Sequence, residues 1–529
     1  MTAADLVLLN GRIWTGTGQT VSALATSGGR VLATGTDDSI RQLVTPSTRV
    51  IDLQGKLALP GFIDDHTHFI HGGEHLLSVD LRRATSRGEL AQQLHDHATT
   101  MTKDEWIRGG SWDHELWGGV LPTRQDIDGA ADQPVWVTRL DKHMGLANSK
   151  ALALAGITRD TQDPAGGVIV RDAAGEPTGV LKDAAMKLID PAIPRQTAAE
   201  QDAALTAAMA EAARVGVTSV QDISSWSDVE TYQRFRQQRR LRVRVSARTP
   251  VSSWERQADL VDADGPGDGW FRFSGLKAFM DGSLGSTTAL FFQPYCDEPS
   301  TAGLMVADNQ PEGVLRDAIV AADRRGMQCS IHAIGDRANS LLLDYFEHAI
   351  ATNGPRDRRF RIEHAQHLRQ QDVPRFAAMG VIASAQPAHA IDDGRWADGR
   401  LGPDRIATAY PFRSLLDSGA TVVFGSDWTV APLSPLLGVQ AAVTRATTDG
   451  RFPDGWVPEQ KITVEEAIRA YTSACAFADF AEDEKGTLTP GRLADVAVLS
   501  QDIFTIPSAE LAQTEVLLTI VDGNVVHEA

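Results

Sequence analysis

The feature that most constrains the fold is an alternation of helical and extended patterns that begins near residue 197. An alanine-rich run predicts a helix over residues 197–214, with Thr197 as its N-cap and Gly216 at its end. Short apolar runs that suit buried strands follow at residues 217–222, 243–248, 275–280, 328–332, 360–364, 381–386 and 421–425. With an earlier run that ends at His66 they make eight, the number that a closed (β/α)8 barrel requires. The sequence therefore predicts an α/β fold built on a TIM-like barrel.

Both ends of the chain show a different pattern, of short strands and tight turns. Residues 1–56 contain strand-like runs separated by turn signals such as Asn10-Gly11. Residues 484–529 show the same pattern of strand-like runs and turns. Because neither end is large enough for its own core, we expect the two to form one small β-sandwich domain. The barrel then occupies residues 57–483. The long gap between its first two strands predicts an insertion at about residues 75–195, to which we also assign the apolar run 134–140.

Composition and charge narrow the classes of partner. Of the 529 residues 42% are hydrophobic and 22% charged, as in ordinary globular proteins, and the net charge is -19. Nucleic acid and anionic membranes would repel such a chain, so we expect a small-molecule substrate. Three widely spaced cysteines exclude a disulfide framework, and no apolar run approaches the roughly 18 residues of a membrane span. Since no secretory leader pattern is present, we expect a cytoplasmic protein; homo-oligomerisation, for example as a dimer, stays open.

Six side chains that can bind metal ions lie at or near the ends of predicted barrel strands. They are His66, His68, Lys277, His332, His364 and Asp427. Barrel enzymes build their active sites at the carboxyl ends of the strands, and two histidines two apart on an extended strand point to the same side. Four imidazoles, one carboxylate and a lysine suit two divalent ions such as zinc. A charged ammonium would repel a metal ion, but a neutral Lys277 can add carbon dioxide, and the resulting carbamate has two oxygens that could bridge two ions.

The order of these residues and the sequence around them resemble the amidohydrolase superfamily, in particular its amidohydrolase-3 branch, which includes N-substituted formamide deformylase. The resemblance covers nearly the whole chain. Its most specific stretches are PGFIDDHTH (60–68), NSKAL (148–152), KAFMDGSLGS (277–286), HAIGDRAN (332–339), RIEHAQ (361–366), GSDW (425–428) and KGTLTPGRLAD (485–495).

The resemblance implies a role for each of the six residues. His66 and His68 would hold the more buried ion with Asp427, and His332 and His364 would hold the other. A carboxylated Lys277 would bridge the two ions. Asp427 would also take a proton from the attacking water and pass it to the leaving nitrogen.

Hydrolysis of an amide-type C–N bond, including that of N-substituted formamides, is our first expectation. Ester or lactone hydrolysis and ring deamination use the same residues and stay as alternatives. A non-catalytic binding protein is disfavoured by the complete set of ligands. Phosphate-ester and nucleic-acid chemistry is disfavoured by the acidic charge and by the absence of a glycine-rich phosphate loop.

Four further residues are candidates for substrate contacts. Trp112 lies in the insertion and Trp428 directly follows Asp427, so both indoles could form aromatic walls for an apolar or aromatic substituent. Packing within the protein is an equally good interpretation of both. His143 and His389 could donate hydrogen bonds to the substrate carbonyl.

Overall fold

A computed structural model describes residues 3–103, 105–139, 144–164, 167–194, 196–285 and 287–529. The chain divides into two units, one of Met1–Phe69 with Met209–Ala529 and the other of Ile70–Ala208. None of the helices in the described residues is long and apolar enough to cross a lipid bilayer.

The elements before the second barrel strand fall into three groups. The N-terminal group comprises β1 (Leu6–Leu9), β2 (Arg12–Trp14), β3 (Thr20–Val21), β4 (Ala23–Ser27), β5 (Arg30–Gly35), α1 (Asp37–Arg41), β6 (Arg49–Asp52) and β7 (Leu57–Pro60). The first barrel strand is β8 (Phe62–Thr67). The inserted group comprises α2 (Phe69–Leu77), β9 (Val79–Asp80), α3 (Arg87–Ala98), β10 (Gly109–Trp112), α4 (Arg124–Ile127), β11 (Trp136–Arg139), β12 (Met144–Ala147), α5 (Ser149–Leu154), β13 (Gly167–Arg171), β14 (Pro177–Asp183) and α6 (Ala198–Arg214).

The remaining elements complete the barrel and return to the β-domain. Those of the barrel are β15 (Val217–Ile223), α7 (Trp226–Gln237), β16 (Arg244–Pro250), α8 (Trp254–Asp264), β17 (Phe271–Phe279), α9 (Val314–Arg324), β18 (Cys329–Ala333), α10 (Asp336–Asn353), β19 (Arg361–His364), α11 (Val373–Met379), β20 (Ile382–Ala385), α12 (Pro387–Asp393), α13 (Ala397–Leu401), α14 (Pro403–Ile406), α15 (Phe412–Asp417), β21 (Val422–Phe424), α16 (Pro435–Thr444), α17 (Val464–Ala470) and α18 (Ser473–Ala478). The C-terminal strands are β22 (Val496–Leu499), β23 (Val516–Val521) and β24 (Asn524–Glu528).

The barrel is an eight-stranded parallel sheet in the order β21-β20-β19-β18-β17-β16-β15-β8. All eight predicted strands are confirmed, although β17 begins at Phe271 rather than at residue 275. The first and last strands meet through a parallel bridge between Thr67 and Trp428, which nearly closes the barrel. The predicted cap is confirmed as well, because Thr197 Oγ1 accepts from the Glu200 N–H at 3.2 Å just before α6.

Strands from the two ends of the chain share one sheet, in the order β24-β23-β22-β7-β2-β3. A second sheet, β5-β4-β1-β6, packs against it, and Leu8 and Leu24 of the second sheet lie in one core with Ile13, Val496 and Ile520 of the first. Neither end could bury this apolar surface alone. The passage from β7 to the barrel strand β8 is a single residue, Gly61, so the β-domain fixes the start of the strand that carries His66.

The inserted unit has its own mixed sheet, in the order β13-β14-β12-β11-β10-β9. Strand β11 pairs with β10 and β12 in this sheet, so the apolar run around Trp136 belongs to the insertion and not to the barrel, as predicted. Its hydrophobic core includes Leu90, Trp112, Val137 and Leu146.

Candidate metal centre

Four barrel strands and the segment after a fifth bring the six predicted ligands to one end of the barrel. They lie at the end of β8 (His66), just beyond it (His68), on β17 (Lys277), on β18 (His332), at the last residue of β19 (His364) and after β21 (Asp427). The carboxyl ends of parallel strands meet at one rim, which explains why residues so distant in sequence converge. All six line a single cavity of about 510 Å³.

The spacing within this group suits metal ions. One ligand atom each from His66, His364 and Asp427 lies within 4.8 Å of the others. Asp427 Oδ1 is 3.6 Å from His66 Nε2 and 3.4 Å from His68 Nε2. On the other side, the ring centroids of His332 and His364 are 4.4 Å apart. Several ring nitrogens and a carboxylate thus face a common centre, as a tetrahedral or slightly expanded ion requires.

The backbone at two of the ligands adopts an unusual conformation. Asp427 has a φ of 53° and His364 a φ of 74°, in the left-handed region that residues other than glycine seldom adopt. The segment around Asp427 is held against β8, because the Asp427 N–H donates to the His66 carbonyl at 2.7 Å. Gly425 permits this approach, since a Cβ there would lie 2.5 Å from the His66 nitrogen. Local strain of this kind is concentrated at functional sites.

Hydrogen bonds on the far ring nitrogens orient two of the imidazoles. His66 Nδ1 contacts the Glu363 carboxylate, and His364 Nδ1 lies 2.7 Å from Gln386 Oε1. Because these oxygens accept, each ring carries its proton on Nδ1 and keeps Nε2 free for a metal ion. His332 is the reverse case, since its Nε2 donates to the Gly282 carbonyl at 3.1 Å and leaves Nδ1 with the free lone pair.

Glu363 is a functional residue that the sequence analysis missed. Besides His66, it accepts from the Ser330 and Ser384 hydroxyls, and its Oε1 is 3.3 Å from Arg361 Nε. Neighbouring residues of a regular strand point to opposite faces, which hides a carboxylate next to a ligand from any pattern argument. The left-handed His364 breaks this alternation, so both side chains reach the barrel interior.

Burial favours the protonation states that metal binding needs. It lowers the pKa of His66, lowers that of His332 to about 3 and places that of His364 well below its usual value. These rings are therefore neutral near pH 7, the form that binds metal. Burial raises the pKa of Asp427, but the nearby histidines, His66 foremost, outweigh it and hold the pKa well below the usual range. Asp427 is an anion at neutral pH.

Within the described part of the chain, the amine of Lys277 has no hydrogen-bond partner. Its side chain is buried, and among the described residues no hydrogen-bond acceptor reaches its Nζ. Burial lowers the pKa of Lys277, although the carboxylates of Glu363 and Asp427 counteract part of this effect. An unpaired buried ammonium is unfavourable. The surroundings therefore favour either a neutral amine or a modified one, and both fit a site for divalent ions.

The four residues predicted to contact the substrate do not all line the cavity, in contrast to the six predicted ligands. His389 on α12 lines the cavity, and its buried Nε2 has no partner among the described residues. His143 lies outside the described residues. Trp428 is only 5% exposed, packs against Phe69 with ring centroids 5.9 Å apart and is absent from the described residues that line the cavity.

Trp112 is also placed differently from the sequence-based expectation. Its indole is fully buried in the core of the inserted unit, and Nε1 donates to the Val137 carbonyl at 3.0 Å. The packing interpretation holds for both tryptophans, and the expectation that they form walls beside the metal ligands is corrected.

Other residues form the apolar walls of the cavity. They include Phe279, Leu284, Ile334, Ile391 and Trp396. Phe279 could have been found from the sequence, because it lies two residues beyond Lys277 on the same strand and so on the same face. Trp396 follows helix α12 in a connecting segment that carries no periodic signal.

Comparison with known proteins gives one consistent result. The family model described as "Amidohydrolase family" matches residues 49–527. The chain is 38% identical to Protein LONG AFTER FAR-RED 3 of Arabidopsis thaliana, over 98% of this chain and 91% of that protein. It is 28% identical to N-substituted formamide deformylase of Arthrobacter pascens, over 99% and 98%. Among solved structures, an uncharacterised metal-dependent hydrolase from Pyrococcus horikoshii OT3 matches with a TM-score of 0.80 and 29% identity, over 95% of this chain and 99% of that one.

Proposed function

This chain belongs to the Amidohydrolase family, and from that premise we propose that it is a metal-dependent hydrolase that cleaves the C–N bond of a small amide. The observation that carries the proposal is the convergence of six metal-binding side chains on one cavity. A relative over nearly its whole length is an N-substituted formamide deformylase, which makes N-substituted formamides the first substrate class to test.

Two divalent ions, zinc first among them, fit the residues present. His66, His68 and Asp427 would hold one ion, His332 and His364 the other, and a carboxylated Lys277 would be shared. The orphaned Nζ of Lys277 and the neutral imidazoles support this assignment. When bound, such ions lower the pKa of water from ~15.7 to near ~7 and polarise a carbonyl.

The residues of the chain supply the proton transfers and the orientation. Asp427, ionised and 3.4 Å from His68 Nε2, accepts the proton of the attacking water and returns it to the nitrogen that leaves. His389 lines the cavity and its Nε2 has no partner among the described residues, so we assign His389 as the candidate contact for the substrate. Glu363 and Gln386 hold the His66 and His364 rings in the orientation that exposes Nε2.

The cavity supports a substrate with an apolar or aromatic substituent. Its volume of about 510 Å³ lies in the usual range for small-molecule sites, and Phe279, Leu284, Ile334 and Trp396 contribute apolar surface. The cytoplasmic location and any homo-oligomer stay predictions.

The experiment compares three reactions on one preparation. The purified protein is stripped of metal, reloaded with zinc and assayed with N-benzylformamide, with benzyl formate and with adenosine. We expect amide hydrolysis that is lost on stripping and restored on reloading, with the His364→Ala variant as the control for contaminating activity. Ester hydrolysis or deamination without amide hydrolysis in this and a wider amide series would assign the site to an alternative reaction.

A further inference from the structure

Gln366 lies in the wall of the same cavity and has no part in the chemistry proposed above. It is two residues beyond His364, and its side chain is 3% exposed. Its Nε2 donates to Asp393 Oδ2 at 2.7 Å and lies 3.3 Å from His367 Nε2. A carboxamide nitrogen has two hydrogens and accepts no hydrogen bond, so the ring nitrogen of His367 must be the acceptor. Both hydrogens of the Gln366 amide are therefore committed within the protein.

Asp393 keeps the carboxamide in this orientation. Its Oδ2 also accepts from the Tyr410 hydroxyl at 2.6 Å, so the atom that faces Gln366 is an acceptor with two donors. A reversed carboxamide would bring Gln366 Oε1 against the Asp393 carboxylate, which is unfavourable when the carboxylate is ionised. Burial raises the pKa of Asp393 to about 7, so the carboxylate is ionised at pH 8.

The oxygen of Gln366 is consequently the group that this side chain can present to a ligand. Among the described residues, no donor reaches Gln366 Oε1. The neighbouring wall is formed by Asp392 and Asp393, whose carboxylates also accept. Of the described residues that line the cavity, none is an arginine and Lys277 is the one lysine, which the proposed carboxylation would turn into an anion. This wall offers acceptors, while the surfaces around it are apolar.

We propose that Gln366 binds an N–H or O–H donor on the substrate, so that the site selects amides whose largely apolar substituent carries one hydrogen-bond donor. The proposal rests on the function proposed above and narrows its substrate class. Gln366 acts here in substrate binding, because its oxygen contacts the ligand and takes no part in proton transfer.

The test is a binding series that does not depend on turnover. Ring-substituted N-benzyl methanesulfonamides resist hydrolysis and carry a hydroxymethyl group at the ortho, meta or para position. Each is compared with its ethyl isostere and with its methyl ether by calorimetry at pH 8 on the zinc-loaded protein. We expect one hydroxymethyl isomer to bind about tenfold more tightly than its methyl ether, the effect that one neutral hydrogen bond supports.

Variants locate the effect. In Gln366→Met the preference for that hydroxymethyl isomer over its ethyl isostere should fall about tenfold relative to wild type, whereas Gln460→Met, a buried glutamine that bonds Ser414, should keep it. Equal ratios in wild type and Gln366→Met would overturn the proposal. If Gln366→Met does not fold, the wild-type protein alone decides. Wild-type protein that binds no hydroxymethyl isomer more tightly than its methyl ether would overturn the proposal. Selective binding without any amide hydrolysis would instead refute the proposed function and leave this inference standing.

Discussion

At the scale of single residues, Lys277 has the environment that says most about the site. A buried lysine normally finds a carboxylate, as Lys485 does with Asp479 at 3.3 Å. Lys277 Nζ has no such partner among the described residues, yet it lies in a cavity wall with the four histidines predicted as ligands. A carbamate would convert this isolated amine into an anion that two cations can share, and so would remove the cost of burying an unpaired charge.

The first prediction concerns this modification. Lys277→Ala and Lys277→Arg should both lose high-affinity metal loading, because guanidinium stays charged and cannot form a carbamate. Small carboxylic acids should restore part of the activity of Lys277→Ala. Metal content and turnover are measured beside Lys485→Arg, a matched buried lysine outside the cavity. Normal loading and turnover in Lys277→Arg would contradict a bridging role.

The second prediction separates proton transfer from metal binding. Asp427→Asn keeps an oxygen near the ions but removes the proton acceptor, so turnover should fall ~10²–10⁴-fold while at least one ion stays bound. His332→Ala and His364→Ala should lose metal and turnover together. Wild-type turnover in Asp427→Asn at full occupancy would move the proton transfer to another group, His389 being the first to examine.

The sequence predicted those residues whose type is unusual at a strand end. Histidines and a lysine at the ends of apolar runs stand out, and all six predicted ligands reach the cavity. Glu363 did not stand out, because it adjoins the predicted ligand His364, and neighbouring residues of a regular strand point to opposite faces. Trp112 and Trp428 were conspicuous by type alone. Sequence does not distinguish an indole that packs in a core from one that lines a site.

At the scale of elements, strand β19 supports the centre through three of its four residues. Arg361 pairs with Asp65 and Glu363, Glu363 holds His66, and His364 is itself a predicted ligand. The ion pair is fully buried, so the loss of one partner leaves an uncompensated charge. Elements were predictable where apolar runs were uninterrupted. The start of β17 was missed because Phe271 and Phe273 alternate with the polar Arg272 and Ser274.

The third prediction tests this support. Glu363→Gln removes the charge that orients the His66 ring but keeps an oxygen, so metal affinity should fall about 10–100-fold. Competition with a chelator measures the affinity. Circular dichroism shows whether the variant is folded, and Glu482→Gln, which removes a carboxylate that pairs with Arg359 outside the cavity, is the control. Unchanged affinity in folded Glu363→Gln would mean that the ring is positioned by packing alone.

At the scale of the whole molecule, the two ends of the chain and the barrel depend on one another. Strand β22 pairs with β7, which continues through Gly61 into β8, and Arg244 of β16 pairs with Asp495 at 2.7 Å. The ends were predicted to associate because each lacks a core of its own. Which strands pair is set by contacts between residues more than 400 apart in sequence, such as Val496 with Pro60, and no local pattern encodes them.

The fourth prediction is a pH dependence of global stability. Burial lowers the pKa of His367 to about 3. Below about pH 6.5 the ring is therefore protonated in the unfolded chain but stays neutral in the folded protein until the pH approaches 3. The contribution of His367 is therefore complete above about pH 6.5 and is lost as the pH falls towards 3, by up to about 1.4 kcal/mol per pH unit. The free energy of unfolding is measured by denaturant titration at a series of pH values in the presence of a chelator. Between about pH 3 and 6.5 it should change less steeply with pH for His367→Asn than for wild type. Equal slopes would contradict the assignment.

The most direct test of a two-ion centre is elemental analysis of the purified, fully active protein. Six ligand groups exceed what one tetrahedral ion can use, so the expected result is two zinc ions per chain, with at least one of them lost in His364→Ala. Activity should rise with loading until the second ion is bound. At most one ion per fully active chain would contradict the proposed centre and would point to a site with a single metal ion.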